Sequence, residues 1–490
     1  MKKYLFYFLV GSQNLYGEET LRQVNKNAEI MVKGFNSSPV IPCTVLFKPC
    51  LKTSAEVYAA VEQANNDPNC AGVICWMHTF SPSKMWIAGL SALNKPYLHV
   101  DTQFNRDIPW DSIDMDFMNL NQSAHGDREH GYIAARLGLK RKVIAGHWQN
   151  EEFNREIGSW MRAAVGAVES KRLKIMRISD NMREVAVTEG DKIEAQIKLG
   201  WQVDHYGIGD LLETLNEVTE EETDRKMDEY RSYYTMDTDN IEAVRYQAKI
   251  QVAIKKMMDK GGYGAFHTNF EDLHGLKQLP GLASQDLSRL GYGFAAEGDW
   301  KTAGLSRTMK LMAGGLNGGT AFMEDYTYHF EPGNEMILGA HMLEVCPCLA
   351  AEKPKIQVHP LGIGGKEPPA RAVFEAKTGK AIVVSLVDMG NRLRMIVNKI
   401  ECVKQPKAMP KLPVAGVLWK PEPSLKTSAE AWILAGGAHH SVLSFDISAE
   451  QMADFAEMTG IEFILIDEKT EIPAFRRELF YNDVARKVMD

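Results

Sequence analysis

The sequence predicts an α/β protein with N-terminal and central parallel-sheet (Rossmann-like) domains, followed by a β-rich, barrel-like C-terminal domain. Three observations point there. Short apolar runs alternate with helical patterns through the first third, and that alternation implies parallel βαβ units. A second α/β stretch opens near Leu173. From about Val358 onward the pattern changes to short strands separated by Pro and Gly, as in a closed or nearly closed β region. A chain of 490 residues is too long for one compact core. The expected domains are 1–172, 173–320 and 321–490.

The first strand is expected over 4–10. Lys2-Lys3 ahead of this apolar run resembles an export signal, but the run is short and no small-x-small cleavage site follows it. A buried strand ending in a glycine-containing turn is the better reading. Periodicity predicts a helix over 19–35, a strand over 40–47 and a helix over 53–65 capped by Thr53 or Ser54. Strands follow over 71–76 and 96–99. A strand over 175–178 opens the central region, and the charged segment 213–231 reads as one solvated helix. Strands over 372–375, 381–388, 392–397 and 414–418 build the final third. Functional residues of parallel sheets gather at the carboxyl ends of strands, where Gly11-Ser12-Gln13 and Met77-His78-Thr79 fall.

Composition narrows the function. The chain is 45% apolar and 24% charged, with a net charge of −8 and no long lysine/arginine block. That argues against electrostatically driven nucleic-acid binding. No other stretch approaches membrane-spanning length, and a cytoplasmic location is expected. Seven cysteines are too sparse for a disulfide framework and suggest a reducing compartment. Cys346-Pro-Cys348 sets two thiols close together, and packing as small hydrophobes is the simpler reading. The run Gly362-Ile363-Gly364-Gly365-Lys366 lacks the spacing of a phosphate-binding loop, so its glycines serve turns.

The chemistry lies in dispersed acids and histidines. Glu297, Glu324, His341 and the pair His439-His440 each sit among Gly, Ala or apolar residues. An isolated buried charge is very costly, so each needs a partner. Taken singly, either glutamate reads as a structural acid in a salt bridge. Taken with His341 and His440, they form a two-carboxylate, two-imidazole ligand set suited to Mn, Co or Mg-like ions. His341 and Glu344 stand three apart and can share a helix face. His125 lies in a polar, small-residue segment and reads equally as a loop catalyst or a surface histidine.

Longer strings carry a resemblance. Gly11-Ser12-Gln13-x-Leu15-Tyr16-Gly17, Trp76-Met77-His78-Thr79-Phe80-Ser81-Pro82 and the segment from Asp114 to Gly126 resemble bacterial L-arabinose isomerase. So do Phe270-Glu271-Asp272-Leu273-His274-Gly275, Glu297-Gly298-Asp299-Trp300-Lys301-Thr302, Phe322-Met323-Glu324-Asp325-Tyr326, Gly339-Ala340-His341-Met342-Leu343-Glu344 and Gly436-Gly437-Ala438-His439-His440.

The resemblance implies an aldose–ketose isomerase of arabinose catabolism that converts L-arabinose to L-ribulose through a cis-enediol, with D-galactose to D-tagatose as a side activity. It implies one Mn²⁺ per subunit, with Co²⁺ or Mg²⁺ as substitutes, on residues matching Glu297, Glu324, His341 and His440. The two glutamates match the acid–base pair, and His125 matches a ring-opening group supplied by a neighbouring subunit. Gln13, Leu15, Met182, Phe270 and His439 match the substrate pocket, with Asp299, Phe322 and Glu344 as further members. The implied assembly is a homohexamer, a dimer of trimers with active sites at subunit interfaces. Three positions depart from the family pattern: Asn14 for a His, His130 for an aromatic and Gly416 for an Arg. A metal-dependent hydrolase, a sugar-binding protein and a ketol isomerase for another sugar are the competing readings.

Overall fold

The structure, a computed structural model, describes residues 1–489. It has two compact units, Met1–Val168 and a second from Glu169 onward. The first unit is built on strands β1 (Leu5–Gly11), β2 (Thr44–Phe47), β3 (Cys70–Met77), β4 (Tyr97–Asp101) and β5 (Lys142–Ala145). They form one parallel sheet in the order β2-β1-β3-β4-β5. All eight residues of β3 are buried, as expected of a parallel strand covered on both faces. β2 is shorter than the apolar run suggests. Pro42 has no N–H for a ladder, and pairing opens at Thr44. Thr53 caps the helix Ser54–Asn66 by accepting the Glu56 N–H.

In the second unit, β6 (Lys174–Ile178) and β7 (Gln202–Tyr206) lead into the short β8 (Thr235–Met236), then β9 (Ala265–Thr268) and β10 (Gly293–Ala295). A parallel sheet runs β10-β9-β6-β7. The charged segment is two helices, Ile208–Asn216 and Glu220–Tyr233. The break falls where Thr219 caps the second helix in a box with Glu222, so a capping signal overrides continuous polarity.

The rest of the chain supplies β11 (Thr320–His329), β12 (Met336–Ala340), β13 (Lys355–Val358), β14 (Ala370–Val373), β15 (Gly379–Asp388), β16 (Leu393–Val403), β17 (Val417–Pro421), β18 (His440–Ser444) and β19 (Glu462–Ile466). β13 and β14 pair with β8 in a small sheet. The ring β15-β18-β11-β12-β17-β16 closes back on β15 as a six-stranded antiparallel barrel, with β19 added in parallel to β16. Its core holds Ala321, Met323, Ile337, Val383, Trp419 and Leu443.

The helix Trp300–Met312 joins the two halves of this unit. It packs on β9 and β10 of the parallel sheet and on β11, β15 and β18 of the barrel. Trp300, Ala303, Leu305 and Met309 are therefore fully buried. Each large apolar side chain so placed contributes about 1.5–3 kcal/mol. No helix among the described residues is long and apolar enough to cross a membrane.

Candidate active site

The site forms where that helix begins. Glu297 lies between β10 and the helix and has a left-handed backbone, φ 59°. A non-glycine residue there costs on the order of 1–3 kcal/mol, and such strain concentrates at functional sites. The turn is held from three sides. Met182 N–H donates to the Glu297 carbonyl (3.2 Å), Gly298 N–H to Thr268 O (3.1 Å), and Asn181 Nδ2 to Gly298 O (3.1 Å). Gly298 has φ 83°, and a Cβ on it would lie 2.4 Å from the Asn181 Cα, so no side chain fits.

The barrel supplies the other groups. Glu324 on β11 pairs directly with His440 on β18 and with Ala340 on β12, one residue before His341. His341 and Glu344 occupy a turn after β12 rather than a helix, but they do meet. The His341 Nδ1 contacts Glu344 Oε2, which also accepts the Leu343 N–H (3.0 Å). Asp299, cap of the central helix, accepts from Thr302 and lies 3.1 Å from His440 Nδ1. Both buried imidazoles thus have Nδ1 on a carboxylate and leave Nε2 without a hydrogen-bond partner. The free His341 Nε2 is 3.7 Å from Glu324 Oε2, and the free His440 Nε2 is 3.7 Å from Glu297 Oε2. Phe322 packs against both rings, at 5.1 and 5.0 Å between centroids, and sets their spacing.

A carboxylate behind Nδ1 fixes the tautomer and presents Nε2 as a lone pair, the arrangement that holds an imidazole ready for a cation. The residues therefore fit a divalent ion. The tightest trio is Glu297, His439 and His440, whose ligand atoms lie within 4.8 Å of one another. His439 Nε2 sits 3.3 Å from Glu297 Oε2. The cluster as a whole brings together Glu297, Glu324, His341, His439 and His440.

The charges agree. Burial pushes Glu297 up, but the His439 hydrogen bond and the charges of His440 and His341 outweigh it and hold the carboxyl below its usual range. Burial raises Glu324 more than the histidines lower it. Burial opposes a proton on His341, yet Glu344, Glu324 and Glu297 together raise it to about 9. A proton on His341 thus answers the same crowd of anions that a metal would. Asp299 is held far below its usual range, because Lys301 and His440 outweigh its burial. Asp325, which sequence reasoning passed over, is pushed up to about 7 by burial and then by Glu324.

An apolar pocket opens beside the cluster. Phe270, Leu273, Leu279 and Ile363 line it, with Glu297, His341 and Glu344 on its polar side. Met182 reaches the site through its hydrogen bond to Glu297. The remaining expected residues belong to the first unit. His125 is exposed in the first turn of the helix Ser123–Arg136, its ring 4.5 Å from that of Phe80. Gln13 is half-buried and Leu15 is 83% exposed in the turn after β1. The Tyr16 hydroxyl ties that turn to Gln122 (3.4 Å), just before the helix bearing His125.

Two carboxylates of unlike environment beside imidazoles, on a sheet-and-barrel scaffold, have the chemistry of an enzyme site that could transfer protons and hold a divalent cation. Comparison with known proteins narrows the class. The L-arabinose isomerase N-terminal, central and C-terminal domain families match residues 1–172, 174–315 and 319–462. The chain is 57% identical over 490 residues to the L-arabinose isomerase of Geobacillus thermodenitrificans, covering 99% of this chain and 98% of that one. It is 58% identical over 489 residues to L-arabinose isomerase 1 of Bacillus licheniformis, covering 99% of each. With the enzyme of Thermotoga sp. (strain RQ2) it shares 55% over 486 residues, covering 99% of this chain and 98% of that one. The chain belongs to the L-arabinose isomerase family and is an isomerase.

Proposed function

We propose that the chain interconverts L-arabinose and L-ribulose through a cis-enediol, with Glu297 and Glu324 as the acid–base pair. The observation that carries this reading is the pair of unpartnered imidazole nitrogens facing those two glutamates. Isomerisation moves one proton between adjacent carbons and another between their oxygens. One glutamate takes the carbon-bound proton, the other handles the hydroxyl proton, and the roles exchange in the reverse direction. Glu297 borders the pocket and Glu324 faces the same imidazoles, a placement that suits the double transfer, and no redox cofactor is needed. Asp299 and Glu344 keep the two imidazoles in one tautomer, and Phe270 with its apolar neighbours excludes water.

Glu297, Glu324, His341 and His440 would hold a Mn²⁺-type ion, with Co²⁺ or Mg²⁺ as substitutes and His439 within reach as sugar ligand or alternative donor. Such an ion supplies Lewis-acid stabilisation of charge on the sugar oxygens and fixes the sugar's orientation. His125, exposed and at a helix start, assists ring opening from a neighbouring subunit of a hexamer, and Gln13 and Leu15 line the sugar pocket. The chain divides into domains 1–172, 173–320 and 321–490, works in the cytoplasm and takes D-galactose as a second substrate. One extra hydroxymethyl group changes binding by only about 1–3 kcal/mol, which supports dual use.

The test is ketose appearance over a panel of aldoses, with dialysed enzyme and with added Mn²⁺. Ketose should form from L-arabinose, faster than from D-galactose, and only with metal. A full rate in metal-free enzyme removes the cation from the mechanism. Cleaved products would instead mark a hydrolase.

A further inference from the structure

We propose that Cys346 and Cys348, together with Lys310, form a peroxide-reactive dithiol that closes to an intramolecular disulfide. The pair lies beside the barrel, two and four residues after Glu344, and isomerisation makes no use of it. Lys310, on the central helix, donates from Nζ to Thr320 O (2.6 Å) and lies 3.6 Å from Cys346 Sγ. Among the described residues no carboxylate pairs with this ammonium. A half-buried cation without a counter-charge carries a cost; the two thiols favour its charge, while Arg307 opposes it. Lys377 adds a second ammonium, 3.1 Å from Cys348 O.

The two sulfurs divide the work. Cys348 Sγ donates to the Thr320 carbonyl (3.4 Å) that also accepts from Lys310, and Cys346 is buried while Cys348 is half-buried. The neighbouring Cys346 thiol and the Lys310 ammonium both favour a Cys348 thiolate, and together they hold Cys348 below the ordinary thiol value despite its burial. Burial pushes the thiols of Cys43, Cys50, Cys70, Cys75 and Cys402 up instead. Thiolate character and access select the reactive cysteine, and only Cys348 combines them.

The chemistry balances with hydrogen peroxide as oxidant. The Cys348 thiolate attacks one peroxide oxygen, the O–O bond breaks, and the departing hydroxide takes a proton to become water. Cys348 is then a sulfenic acid. The Cys346 sulfur gives up its proton and attacks it, the S–O bond breaks, and a second water leaves. Two thiols lose two electrons and two protons, and one peroxide becomes two waters.

Full-length protein treated with stoichiometric hydrogen peroxide should lose two of its seven thiols. Peptide mapping should place a disulfide between Cys346 and Cys348, and dithiothreitol should restore both thiols. Oxidation of the other five at a similar rate, or peroxidation of Cys348 without a disulfide, overturns the proposal. Lys310→Met should slow closure about tenfold at neutral pH, and an unchanged rate removes the ammonium from the device. If that variant does not fold, the wild-type pH–rate profile decides. An inflection below the ordinary thiol value of about 8.5 supports the pairing, and one at or above it refutes it.

Discussion

Both units bury histidines beside acids, and the outcome in the acid–imidazole cluster of the second unit is opposite to that in the first unit. In the first unit, His78 contacts Asn27 (2.8 Å), His99 contacts Asp127 (2.9 Å) and His130 contacts the Tyr97 hydroxyl. Burial holds His78 and His99 at about 4 and drives His130 well down, so all three are neutral. Asp127 is itself raised by burial and by Asp101, and does not act as a counter-ion. In the second unit His341 and His439 are raised instead, because ionised carboxylates surround them. The imidazole is the same; the number of nearby anions decides whether it packs as a neutral ring or waits for positive charge.

The contrast is broken most severely by removing those anions. Glu297→Gln or Glu324→Gln should lower turnover on the order of 10²–10⁴-fold while circular dichroism stays native. Ordinary activity in either variant excludes that glutamate from proton transfer. Chelation should likewise abolish turnover, and added Mn²⁺ should restore it.

Stability against pH should split the same way. His78 and His99 titrate at about 4 folded against 6.5 free. The unfolded chain therefore binds the extra protons between those values, and stability is lost as pH falls. Metal-free His341 titrates at about 9 folded. Here the folded chain holds the extra proton, so stability is lost as pH rises from 6.5 to 9. The acid limb should reach about 7 kcal/mol for the two histidines together and the alkaline limb about 3 kcal/mol. Thermal melts of metal-free protein measure both, and His341→Gln should flatten only the alkaline limb. A slope that survives in the variant belongs to another group.

Smaller effects sharpen the comparison. Asp299→Asn or Glu344→Gln removes the charge behind Nδ1 and should weaken Mn²⁺ binding about 10–100-fold by titration calorimetry. Asp127→Asn in the first unit keeps the acceptor for Met77 N–H (3.1 Å) and removes no ionised group. It should cost less than about 1 kcal/mol in a denaturant melt, and a larger loss would show that Asp127 is ionised after all.

Much of this was legible in the sequence, for identifiable reasons. Buried parallel strands read as unbroken apolar runs, so β1, β3 and β4 stood out. Ionisable residues in Gly- and Ala-rich surroundings marked Glu297, His341 and His440 as members of one cluster, and strings shared with a known family marked the family. What stayed hidden depends on three-dimensional closure. The β15–β16 contact that completes the barrel, the left-handed turn at Glu297 and the Asp299–His440 contact across 141 residues leave no local signal. The His341–Glu344 spacing was visible, but three residues apart suits a turn as well as a helix.

The closed barrel has one more consequence. Glu324 and His440 are cross-strand neighbours on a ladder with no free end to unzip from. A strand cannot slide by one residue without turning its whole inward set outward, so their separation survives as long as the barrel does. Heat should therefore take catalysis and fold together, in a single transition at one temperature.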